Sequence, residues 1–134
     1  SGSAPNTRAL PVRNVFLYDG VPYSADVPSF VPVGEHRHLV LPYAFDTNDM
    51  QFQHTQRFDT ADSFAQYVCD AVDWLALESE RAPRMMSVGL HLRMIGRPAR
   101  MKALDRILAH VRRTRGAWIA TREQIARHWM AATA

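Results

Sequence analysis

The chain has a single cysteine, Cys69, so no internal disulfide can form, and that thiol lies inside a helical pattern that would bury it. This usage points to a reducing, cytoplasmic setting. Long apolar runs are also missing. None approaches the roughly 18 residues needed to span a bilayer, and the first residues lack the charged-then-apolar layout of a secretory signal, so a soluble chain with no membrane partner is expected. Zinc-finger spacing, a Gly-rich RNA-binding signature and a helix-turn-helix pattern are absent, which argues against a nucleic-acid partner. The net charge of +3 and the basic segment "RMIGRPARMKALDRILAHVRRTRG" still admit an anionic one. What the chain does have is 134 residues of which 47% are hydrophobic, enough for one domain, 1–134, with a substantial core.

Prolines 5, 11, 22, 28 and 32 interrupt the first forty residues, leaving room for a short strand at "VFLY" (Val15–Tyr18) and otherwise for loop. The run "HLVLPYAF" (His38–Phe45) reads as a strand buried on both faces. From Thr60 the period changes to that of a helix: Phe64, Tyr67, Val68, Ala71, Val72 and Leu75 share one face, and Thr60 or Asp62 can cap it. A second buried strand at "MMSVGLHL" (Met85–Leu92) follows, then a helix at "ARMKALDRILAHVRRT", a short strand at "AWIA" and a last helix at "REQIARHWMAA" capped by Thr121. The order β, β, α, β, α, β, α predicts an α/β fold of right-handed βαβ units on a parallel sheet. Ligands of such sheets bind at the carboxyl ends of strands, which selects "DTND" after Phe45 and "HLRM" after Leu90.

His91 at that second position can serve as a general acid or base, or can be a strand-end histidine satisfied by backbone. Asp46 and Asp49 in "FDTNDM" can support a histidine, or can serve as turn and cap residues. Arg93, Arg97 and Arg100 bracket Gly96 and Pro98; a guanidinium there can grip a carboxylate or an oxyanion, or simply be solvated. His36 and His38 resemble a metal-ligand pair, but with no second ligand cluster they are expected to be surface histidines, and no metal or other cofactor is expected. Trp74, Trp118 and Trp129 are expected in the core.

Taken together, "APNTR", "FLYD", "HLVLPYAFDTNDMQF", "MMSVGLHLRMIGRPAR" and "WIATREQIARHW" resemble the polysaccharide deacetylase superfamily, within it the branch of metal-independent allantoinases and cyclic imide hydrolases. The resemblance implies a distorted (β/α) barrel about twice as long as this chain. This chain would then be the carboxyl-terminal, parallel-sheet half. The early aspartate pair and His-x-x-x-His motif that hold metal in metal-dependent relatives would lie before residue 1. By the same resemblance His91 matches the family's catalytic acid, Asp46 and Asp49 match the acidic motif supporting it, and Arg8, in "NTR", matches a substrate-side arginine. Tyr18 and Asp19 match the "LYD" segment. After Asp19 the chain departs from the pattern, running "GVPYSAD" where relatives carry further acids.

The function expected is hydrolysis of a non-peptide C–N bond, in a cyclic amide such as allantoin or an imide, or in an acetamido group of an amino sugar. His91 would protonate the leaving nitrogen, and Arg97 would reach the same cleft. A half barrel needs a partner: a second chain carrying the amino-terminal half, or another copy of itself in a homo-oligomer. The competing expectation is a catalytically empty half barrel serving as a structural or ligand-binding module.

Overall fold

The structure, a computed structural model, describes residues 16–20, 25–53 and 58–134. They fall into two compact units, one drawn from Ser1–Tyr43 with Ala120–Ala134 and the other from Ala44–Ile119.

The first unit is built on a three-stranded sheet of order β1-β3-β2. β2 (Ser29–Val33) and β3 (His36–Val40) form an antiparallel hairpin with Val31 opposite His38. They are joined through Gly34 and Glu35, and Gly34 takes φ +60°, the left-handed conformation that a tight hairpin asks of glycine. Pro32 is tolerated because β2 is an edge strand, where a missing N–H costs no central ladder bond. β1 (Tyr18–Asp19) lies parallel to β3, pairing Tyr18 with Leu39 and Asp19 with Val40. As the central strand, β3 buries His38, Leu39 and Val40, and Leu41 follows them into the interior. A helix over Arg122–Ala132 belongs to this unit; Thr121 caps it through a capping box with Gln124. From its first turn Arg122 donates to the carbonyls of Leu41 and Pro42, both at 3.1 Å, and lies 5.7 Å from the centre of the Tyr18 ring. The guanidinium thereby bonds carbonyls just past the end of β3.

The second unit is helical. We label its helices α1 (Ala61–Glu78), α2 (Leu92–Ile95) and α3 (Pro98–Arg113), and the helix Arg122–Ala132 of the first unit α4. Thr60 and Ser63 form the capping box that starts α1, and Pro98 opens α3, where its missing N–H is no loss. Phe64, Ala65, Val68, Cys69 and Val72 make the buried stripe of α1, and Ala103 and Ile107 bring α3 onto it. Phe52, from a 3-10 turn at Asp49–Gln53, tilts against Phe64 at 5.4 Å between ring centres, and Phe58 meets Phe64 at 5.3 Å.

Several strand expectations are corrected. The run from His38 to Phe45 is a strand only to Val40, two residues before Pro42, which has no N–H for a ladder. The segment Met85–Leu92 contributes a single parallel bridge, Gly89 to Asn48, because among the described residues only that short stretch runs alongside it. "AWIA" is not a strand, and Trp118 and Ile119 are exposed. β2 was not expected at all, and it makes the sheet mixed rather than wholly parallel. Val15 lies outside the described residues. Trp74 was expected in the core but is exposed, its indole N–H donating to Glu78 Oε1 at 2.9 Å.

Candidate active site

The single parallel bridge decides which residues meet. Gly89 N–H donates to the Thr47 carbonyl and Asp49 N–H to the Gly89 carbonyl, each at 2.9 Å, and the Thr47 hydroxyl donates to the Ser87 carbonyl at 2.7 Å. The Asn48 side chain accepts the Met50 N–H at 3.0 Å, turning the chain into the 3-10 segment. Asp49 directly follows the bridge on one side, and His91 lies two residues past it on the other.

Asp49 is fully buried, at 0% exposure. Its Oδ2 accepts the His91 backbone N–H at 2.7 Å, and its Oδ1 lies 2.7 Å from His91 Nδ1. A buried carboxylate is costly unless its oxygens are bonded, and a single residue here engages both. A carboxylate only accepts, so opposite ionised Asp49 the Nδ1 carries the proton. Nε2 is then left as the ring's working atom: a base when the ring is neutral, an acid when it is charged. The side chain of His91 is 36% exposed, so one end of this pair is locked and the other can meet solvent. His91 stands just ahead of α2 as its extended N-cap residue, not at the end of a continuous strand, because the pairing stops at Gly89.

Asp46 is not part of this pair. It is exposed, and its Oδ2 accepts the Tyr67 hydroxyl at 2.9 Å. That bond, together with partial burial and the Asp46 charge, raises the pKa of the Tyr67 phenol above its ordinary value. Tyr67 is 43% exposed, with its ring against Phe58.

Arg97, expected to reach the same cleft, is the exposed N-cap residue of α3, and no hydrogen bond or ion pair joins it to His91 or Asp49 among the described residues. The arginine that links the two loops is Arg93, whose Nη2 lies 4.0 Å from Met50 Sδ. Arg100 is structural: it donates to the Met94 carbonyl at 3.2 Å and sits 4.3 Å over the Phe52 ring. Gly96 has a steric reason, since a Cβ there would come 2.3 Å from the Leu92 carbonyl oxygen. Tyr18 and Asp19 lie on β1 in the other unit, Asp19 Oδ1 accepting the Gly20 N–H at 2.6 Å. Arg8 and His54 lie outside the described residues. His36 is exposed as expected, but His38, on the central strand β3, is 5% exposed, and its Nε2 has no hydrogen-bond partner among the described residues. Among the described residues no three His, Cys, Asp or Glu side chains converge as metal ligands.

No protein-family profile matches the chain. A Schizosaccharomyces pombe protein described as a polysaccharide deacetylase is 44% identical over 94 residues, 69% of this chain and 29% of that protein. The crystal structure of Puue allantoinase superposes with a TM-score of 0.89 at 45% identity, covering 96% of this chain and 44% of that one. A Pseudomonas aeruginosa PAO1 structure described as a polysaccharide deacetylase gives the same TM-score and coverage at 47% identity. The chain belongs to the polysaccharide deacetylase superfamily. This polysaccharide deacetylase-type chain spans less than half the length of the relatives it matches. Its α/β architecture is part of the fold of those relatives, and a Mycobacterium smegmatis structure at 24% identity and TM-score 0.84 shares that fold. No helix among the described residues is long and apolar enough to cross a membrane.

Proposed function

We propose that the chain supplies the acid–base pair Asp49–His91 to a hydrolase of non-peptide C–N bonds, acting on a cyclic amide such as allantoin or an imide, or on an acetamido group. The supporting observation is the double engagement of a fully buried Asp49 by the ring and backbone of one histidine. Asp49 holds and orients the imidazole. As the C–N bond breaks, His91 Nε2 delivers its proton to the leaving nitrogen. The oxygen of water forms the new C–O bond, and the proton that water gives up restores the imidazolium.

The working form we propose contains further polypeptide equivalent to the part of the relatives this chain does not cover. The test is hydrolysis of allantoin, a cyclic imide and an N-acetyl amino sugar by this chain, alone and mixed with the remaining portion of a relative. Activity with one substrate class that falls by about 10²–10⁴ in His91→Asn is expected, the range for a removed general acid. Turnover unchanged by that substitution would refute the assignment.

A further inference from the structure

We propose that Tyr67 is a positioning residue for Asp49 and His91, acting through Asp46; this rests on reading Asp49–His91 as the acid–base pair. The loop from Phe45 to Asp49 is tied to its own continuation by Gln51 Nε2, which donates to the Phe45 carbonyl at 2.7 Å, and to the segment carrying His91 through Thr47 and Gly89. These bonds tie the loop to itself and to the segment carrying His91. The bond from Tyr67 to Asp46 differs in kind, because it joins the loop to α1, whose neighbouring residues Phe64 and Val68 are fully buried. The Tyr67 ring is itself held at 5.4 Å from Phe58, which packs on Phe64, so the hydroxyl is presented from a rigid aromatic cluster. The phenol is a donor across the neutral range, and its raised pKa extends that range upward. Asp46 lies three residues before Asp49, so a loop fixed at Asp46 has little freedom left at Asp49. Displacements of about 1 Å are enough to spoil catalytic geometry.

Tyr67→Phe keeps the ring and removes only the donor. In this chain, with no activity required, the hydrogen-bonded Nδ1 proton of His91 is followed by NMR together with amide exchange at Asp49 and His91. The expected result is a broadened or lost Nδ1 proton signal and exchange about three- to tenfold faster at those two amides, the size of one hydrogen bond's net contribution, with the α1 amides unchanged. Asp46→Ala should reproduce this, and the double variant should go no further than either single one. An unaltered Nδ1 signal and unaltered exchange in Tyr67→Phe, or full addition of the two effects in the double variant, would overturn the proposal. In an assembled, active form the same variant should lower kcat by about three- to tenfold with KM within about twofold. If the NMR effects appear but no activity is found, the positioning role stands and the proposed reaction fails.

Discussion

Replacing Asp49 with Asn separates the fold from the chemistry at this site. The carboxamide has the carboxylate's shape, and its oxygen can keep the His91 backbone N–H that Oδ2 now accepts at 2.7 Å. Its NH2 group then faces Nδ1 where Oδ1 stands, also at 2.7 Å. Two donors cannot share that distance, so the imidazole must move its proton to Nε2 and accept through Nδ1. One charge-assisted bond, worth about 1.5–3 kcal/mol, is exchanged for a neutral one of about 0.5–1.5 kcal/mol, so the net loss of stability should be about 1–1.5 kcal/mol. Urea unfolding should show that loss in the midpoint with the slope unchanged. Nitrogen NMR of the ring should show the proton on Nε2, and any turnover of an assembled form should fall by about 10²–10⁴. Asp49→Ala leaves the His91 N–H with no acceptor in the interior and should cost more, about 2–4 kcal/mol. Retention of the Nδ1–H tautomer in the Asn variant, or a loss above about 4 kcal/mol, would refute this account of the pair.

Phe64→Ala removes a fully buried ring from the centre of the second unit and should destabilise it by about 3–5 kcal/mol in the same unfolding assay. Gly96→Ala forces a Cβ to within 2.3 Å of the Leu92 carbonyl oxygen and should cost about 1–3 kcal/mol, seen as a lower thermal midpoint, with Gly96→Ser no better. Because folding raises the Tyr67 pKa, its contribution to stability is complete below the ordinary tyrosine range and is lost as pH rises through the folded value. Unfolding midpoints of wild type and Tyr67→Phe should therefore converge in strongly alkaline buffer and differ at neutral pH. Cys69, whose thiol is pushed up in pKa by burial, should resist alkylation in the native state and react at once in denaturant.

Local signals made the helices legible. Thr60 and Thr121 act as caps, and Phe64, Val68 and Val72 recur at the helical period, information contained within a few turns of chain. Glycine and proline punctuation located the "IGRP" break before α3 for the same reason. Strand extents were not legible, because a strand exists only where another segment offers its N–H and C=O groups. The apolar run Met85–Leu92 meets such a partner at one position, whereas the proline-bearing Ser29–Val33 finds one along its whole length.

The candidate site divides in the same way. The sequence by itself placed a histidine and two aspartates in two loops with the composition of an acid–base site, since residue types and their spacing need no third dimension. Which aspartate serves the histidine was decided only in the tertiary structure: the bridge from Asn48 to Gly89 sets the register that carries Asp49 to His91 and leaves Asp46 to Tyr67. The burial of His38, expected at the surface, was decided there too, by the central place of β3 between β1 and β2. Register and burial are properties of pairs of segments, and no periodicity within one segment encodes its partner.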